Sequence, residues 1–157
     1  VNVDYGAEAD IEADLLEPLP DAIVGVQRAY VGHFLEHLTP AEGIAFLAGV
    51  RERMAAGGLL VVVGPDVQRA RAQYTARLIP QWLLEACEAH GDPVGHDRTH
   101  CHLWDCTGPL VVQQLTDAGW TGAEEFTLGD LTSLHPDIPL INGSTWQFAA
   151  HAIAGGN

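Results

Sequence analysis

Two short stretches of this chain concentrate residue types that do chemistry. The first is His33-Phe34-Leu35-Glu36-His37. As a string it spells H-x-x-E-H, the inverted zinc-protease pattern. On a helix, His33 and His37 would share a face and could bind zinc, with Glu36 as base. The context argues against that use. A β-favouring run, Val24–Val31, ends just before the motif, and Thr39-Pro40 opens a helix just after it. The segment is expected to connect a strand to a helix. The second stretch holds His96, His100, Cys101, His102 and Cys106. Its spacing matches no common zinc signature, such as a paired C-x-x-C. No metal ligands are assigned from it. It reads as plain loop, as a His-lined substrate pocket or, third, as a structural zinc site, with Trp104 the aromatic nearest to it.

A third set consists of acids at the ends of strand candidates: Asp4, Asp14 and Asp66. Ligands of open parallel sheets sit outside the carboxyl ends of the strands, where a carboxylate can hold a ribose diol. Asp is also a favoured turn and cap residue. Asp66 is read as a helix cap. Of the remaining aromatics, Tyr74, Trp82, Trp120 and Trp146 are expected to pack in the core.

These residues must be positioned by one domain. The chain has 157 residues, 47% of them hydrophobic, which suits a single domain. Its formal net charge is −14, and its seven basic residues are all Arg. Binding a phosphate backbone needs clustered Lys and Arg, so nucleic acid is a poor partner. Anionic membranes are poor partners for the same reason. No apolar run reaches the roughly 18 residues of a membrane span. Three cysteines do not read as a disulfide framework, and no signal-peptide pattern is seen, so a cytoplasmic location is expected.

The elements alternate. Val1–Tyr5, Ala9–Leu15 and Val24–Val31 are strand candidates. Thr39, Pro40 and Glu42 form a capping-box helix start, and Ile44, Leu47, Val50 and Met54 follow at helical spacing. Gly57-Gly58 is expected to stop that helix. Leu59–Val63 is fully apolar, as in a strand buried on both faces. A helix from about Val67 to His90 should break near Pro80. Gly91–Thr107 is loop-like, and Pro109–Ala118 is helical. Glu124–Leu128 and Thr145–Ile153 are strands joined by a loop. The pattern predicts an α/β, Rossmann-like, three-layer αβα domain. Its mostly parallel sheet should carry an antiparallel strand near the C-terminal edge.

With these pieces in order, the chain resembles the small class I methyltransferases that use S-adenosylmethionine. The resemblance rests on Asn2–Tyr5, Ala9–Leu15, Glu17–Pro20, His33–Leu38, Ala56–Asp66, His102–Trp104 and Leu115–Trp120. It implies a seven-stranded sheet of order 3-2-1-4-5-7-6 with strand 7 antiparallel, in which Val1–Asp4 is the second strand. It further implies that Asp4, with Tyr5 beside it, holds the ribose hydroxyls, and that Asp14 and Leu15 lie beside the adenine. Tyr30 to His33, including Gly32, would face the methionine part and the methyl group. His33 and His37 become the candidate catalytic residues. His100, His102 and Trp104 become candidates for the acceptor pocket.

The family's first strand and Gly-rich loop have no counterpart here. About 20–30 residues are therefore expected to precede Val1. The function implied is methyl transfer from S-adenosylmethionine to a small-molecule or carbohydrate-like acceptor. Two rival readings stand beside it: a catalytically silent domain that acts by binding or assembly, and a metal-dependent hydrolase built on the His-rich segments.

Overall fold

A computed structural model of the chain describes residues 3–4, 11–89, 101–136 and 145–155. Two short strands, β1 (Val3–Asp4) and β2 (Ile11–Glu12), pair in parallel as a sheet of their own. The main sheet has four strands among the described residues: β3 (Val26–Gly32), β4 (Met54–Pro65), β5 (Thr121–Phe126) and β6 (Gln147–Ile153). Their order is β3-β4-β6-β5. β3 runs parallel to β4, whereas β6 runs antiparallel to both β4 and β5. One strand of the four is thus reversed, and it lies second from the edge.

Among the described residues, five α-helices accompany the strands: α1 (Pro40–Arg53), α2 (Val67–Thr75), α3 (Gln81–Cys87), α4 (Gly108–Asp117) and α5 (Leu128–Leu134). α1 starts where its capping box predicts. The Thr39 amide donates to Glu42 Oε2 at 2.8 Å, and the Glu42 amide returns a bond to Thr39 Oγ1 at 3.3 Å. α2 ends at Thr75, where Arg77 takes a left-handed backbone (φ 60°) and the Leu78 amide donates to the Gln73 carbonyl at 2.9 Å, and Pro80 stands as the cap residue of α3.

The helices enclose the sheet as the two-residue period of the strands dictates. Leu60 and Val62 of β4 face one way, with Phe148, Ala150 and Ala152 of β6, and pack with Leu47 and Val50 of α1 and Val111 and Leu115 of α4. Val61, Val63 and Ala149 face the other way, against Leu128 and Leu131 of α5. This is the three-layer αβα arrangement. Burying each Leu, Val or Phe among them contributes about 1.5–3 kcal/mol.

Four sequence expectations need correction. Gly57-Gly58 does not stop α1, which ends at Arg53; both glycines lie within β4. Gly57 has φ +77° where the register with β3 shifts, and a Cβ on Gly58 would stand 2.9 Å from the Val26 carbonyl. The pair makes a bulge. Second, β5 ends at Phe126 and the connection to β6 contains α5. Third, the first two strands are two residues each among the described residues. Fourth, Tyr74 and Trp82 are exposed, Trp82 by 67%. They lie on the outer sides of α2 and α3, whose inner contacts use Val67, Ala70, Leu83, Leu84 and Cys87 instead. Trp120 and Trp146 are buried as expected. No described helix is long and apolar enough to cross a membrane.

Candidate functional site

The carboxyl end of β3 carries the first group. β3 ends at Gly32, and the next residue, His33, adopts a left-handed backbone at φ 51°. Its amide still donates to the Val63 carbonyl at 2.9 Å, so the strand ladder pins the strained residue. Non-glycine residues pay roughly 1–2 kcal/mol for this conformation, and such strain clusters at functional positions. Both ring nitrogens have polar neighbours. Nδ1 lies 3.4 Å from Glu36 Oε1, and Nε2 lies 3.1 Å from the Gln147 amide nitrogen. The Trp146 ring stands edge-on at 6.3 Å.

A 3₁₀ turn, Leu35–His37, follows. Leu35 and Leu38 are each 2% exposed and anchor it in the core. The turn thereby draws the Glu36 carboxylate inward, to 1% exposure. The expectation that this motif spans a strand-to-helix connection holds. As no α-helix runs through it, His33 and His37 do not present the i, i+4 face that a zinc protease needs.

Residues 101–104 are bonded along this turn. The Cys101 carbonyl lies 3.1 Å from His37 Nδ1, the Leu103 amide donates to the Glu36 carbonyl at 2.8 Å, and Trp104 Nε1 donates to the Leu35 carbonyl at 3.0 Å. His102 Nδ1 lies 3.2 Å from the Cys87 carbonyl. This lacing brings the two His-containing stretches together. The His37 and His102 rings meet at 5.0 Å, close to perpendicular. One ligand-capable atom from each of Glu36, His37 and His102 lies within 4.8 Å of the others.

Electrostatics follow from the buried carboxylate. Burial first, and Glu36 second, raise the Tyr30 hydroxyl above its ordinary pKa. Burial, then Glu36 and Glu88, push the Cys87 thiol up to about 11. Burial, then Glu36 and Asp66, hold the Cys106 thiol well above its usual value. These two thiols are neutral and unreactive at neutral pH. All three cysteines are free.

The other candidate residues are less concentrated. Asp4 ends β1, as expected. Tyr5 and His100 lie outside the described residues, as does His96 of the same cluster. Asp14 sits in the turn after β2, exposed, and its Oδ1 accepts the Leu16 amide at 2.9 Å. Leu15 beside it is half-buried. Gly32 has a local reason for being glycine: a Cβ there would stand 2.4 Å from the Tyr30 hydroxyl. That hydroxyl is buried without a hydrogen-bond partner. Trp104 packs against the main core with its N–H committed to Leu35, so it is a strut for the turn more than a lid on a pocket. A separate shallow cleft of about 370 Å³, lined by Gln27, Arg28 and residues 55–59, lies at the opposite, amino end of β3, away from these groups.

One hub was not singled out from the sequence. Asp66 is 3% exposed and caps α2, its Oδ1 accepting the Arg69 amide at 2.9 Å. Its Oδ2 accepts the Gly108 amide at 3.2 Å, so one carboxylate ties the starts of α2 and α4. The Arg69 side chain bonds the Gln147 carbonyl at 2.8 Å, pairs with Glu125, and sits 3.5 Å from Asp66. Arg69 thereby fixes the first residue of β6, whose side chain touches His33. The cap was legible in Asp66; the arginine hub carried no local signal, since its partners are 56 and 78 residues away.

No protein-family model matches the chain, and no curated protein matches it in sequence. Solved structures do match in fold. An S-adenosylmethionine-dependent methyltransferase from Archaeoglobus fulgidus superposes with TM-score 0.58 at 13% identity, over 96% of this chain and 74% of that one. Human N-acetylserotonin methyltransferase in complex with S-adenosylmethionine gives 0.54 at 13% identity, over 92% of this chain and 33% of that one. The small RNA methyltransferase HEN1 gives 0.55 at 14% identity, over 90% of this chain and 15% of that one. The chain thus spans a third or less of the last two. The fold is that of the class I methyltransferases: an α/β, Rossmann-like sheet with its reversed strand next to the edge.

Proposed function

We propose that the chain is a methyltransferase domain that moves the methyl group of S-adenosylmethionine to a hydroxyl of a small-molecule or carbohydrate-like acceptor. The observation that carries this reading is His33. It is strained, pinned at the carboxyl end of β3, and bracketed by a buried carboxylate and a buried amide. Open parallel sheets bind ligands at that end of their strands.

The residues at the strand ends fit the cofactor. Asp4 closes β1 and would hold the ribose hydroxyls, with Tyr5 beside it. Asp14 and Leu15 would border the adenine. Gly32 would face the methionine end, where the buried Tyr30 hydroxyl lacks a partner and a polar ligand group would supply one. Within the described residues β3 pairs only with β4, so its other edge is where a further strand would add. S-adenosylmethionine supplies an activated methyl on a sulfonium sulfur.

The protein's own work is alignment and proton removal. With its proton on Nδ1, the side nearer the Glu36 carboxylate, the neutral His33 ring presents Nε2 as an acceptor, and the Gln147 amide donates to it. An acceptor hydroxyl that takes the place of that amide hydrogen bond would pass its proton to Nε2. The hydroxyl oxygen supplies the electron pair for the new O–CH₃ bond, and the broken S–CH₃ pair stays on sulfur. Glu36 is a positioning residue in this scheme, since it keeps the ring in the right tautomer. His37 and His102 lie on the acceptor side.

Similar folds serve proteins named for acceptors as different as N-acetylserotonin and small RNA. The net charge of −14, with seven arginines and no lysine, favours a small acceptor over nucleic acid. The free thiols suit a reducing, cytoplasmic setting. Replacing His33 by Ala should lower turnover about 10²–10⁴-fold while leaving cofactor affinity within a factor of about three. Transfer of a labelled methyl to hydroxylated acceptors reads the first and calorimetry the second. Unchanged turnover in that variant would remove His33 from the mechanism.

A further inference from the structure

Methyl transfer through His33 leaves the pairing of His37 and His102 unused. A carbonyl oxygen can only accept a hydrogen bond. The contacts of His37 Nδ1 with the Cys101 carbonyl and of His102 Nδ1 with the Cys87 carbonyl therefore place the proton of each neutral ring on Nδ1. The lone pair of each ring is then on Nε2. Metal-ligating histidines are held in their ligating tautomer by this kind of bond.

The third member is independent of those contacts. Glu36 is 1% exposed, and its Oε1 is buried without a hydrogen-bond partner, 3.4 Å from His33 Nδ1. A buried carboxylate is costly unless a cation or good donors meet it. Glu36, His37 and His102 each place a ligand atom within 4.8 Å of the others. Ligands on one cation, at about 2.0–2.2 Å from it, stand roughly 3–4 Å apart. Small side-chain rotations would close the difference.

We propose that Glu36, His37 and His102 bind one divalent first-row transition-metal cation, with positions left open for an oxygen ligand. Two imidazoles and one carboxylate suit zinc or cobalt; a hard cation such as magnesium prefers oxygen ligands throughout. In the methyl-transfer reading, on which this role rests, the open position takes the acceptor oxygen. The cation then lowers the pKa of that hydroxyl, whose proton still leaves to His33 or solvent. Binding of the cation itself does not depend on that reading. Adjacent residues supply two of the ligands and a segment 65 positions away the third, so no local spacing reveals the site.

The test uses the full chain without a polyhistidine tag, stripped by chelator. Co²⁺ is titrated with visible absorption as the readout, and Zn²⁺ by calorimetry. One equivalent should bind. His37→Ala and His102→Ala should each weaken binding by roughly 100-fold or more. His151→Gln, which alters the other paired histidine, should leave binding unchanged. If an alanine variant does not fold, the wild type decides alone: bound Co²⁺ should shift the ring protons of both His37 and His102. Absence of stoichiometric Co²⁺ and Zn²⁺ binding overturns the proposal, as does uptake that survives in the folded variants or leaves those ring protons unshifted. S-adenosylmethionine affinity, measured on the metal-stripped chain, separates this failure from failure of the methyl-transfer reading.

Discussion

His33 concentrates the tension between fold and function at the scale of a single residue. Its φ of 51° suits glycine better than histidine, yet the strand ladder and two side-chain contacts hold it. That contrast gives a direct comparison. His33→Gly and His33→Ala both remove the imidazole, but only Gly relieves the backbone. The Gly variant should be more stable than the Ala variant by about 1 kcal/mol in urea denaturation, and both should lose turnover. Equal stabilities would show that the left-handed backbone carries no cost. The motif around His33 was legible in the sequence as a strand-to-helix connection. The partners that give the residue its chemistry were not. Gln147 is 114 positions away, and the residue that meets His37 lies in a stretch whose spacing matches no common zinc signature.

At the scale of elements, the legible parts are those whose signals are local. The capping box of α1, the apolar run of β4, the break near Pro80 and the cap at Asp66 each depend on a few neighbouring residues. The helix α5 was missed because its seven residues, Leu128–Leu134, include Gly129 and Thr132 and are too short for a convincing period. The glycine pair was misread because two glycines can end a helix or bulge a strand, and only the pairing partner decides. Asp66 illustrates what a local signal understates. A cap alone contributes about 1 kcal/mol. Here the same carboxylate also satisfies the Gly108 amide and faces Arg69 from a buried position. Asp66→Ala should therefore cost about 2–4 kcal/mol in chemical denaturation, well above an ordinary cap. A loss under 1 kcal/mol would mean that the link between α2 and α4 is dispensable.

For the whole molecule, the charge excess and the buried thiols set the response to pH. Cys87 is neutral in the folded chain up to about pH 11, whereas in the unfolded chain it ionises near 9. A pKa raised by folding contributes stability that is fully present below the unfolded value and is lost as pH rises through the folded one. Between about pH 9 and 11 the chain should lose up to about 2–3 kcal/mol through this group. Cys106 acts in the same direction. Thermal melts at fixed ionic strength should show the decline, and Cys87→Ala should flatten part of it; an identical profile in that variant would assign the decline to other groups.

The fold class itself was readable because alternation and the apolar β4 run are properties of the chain as a whole. The central claim is that this fold holds S-adenosylmethionine at the carboxyl ends of β1, β2 and β3. The most direct test is a titration of S-adenosylmethionine into the full-length protein, followed by backbone amide shifts and by calorimetry. The account predicts saturable one-to-one binding, with the largest shifts at Asp4, Leu15, Gly32 and His33. An absence of binding, or shifts confined to the cleft at the amino end of β3, would contradict it and leave a methyltransferase-like domain that acts by binding alone.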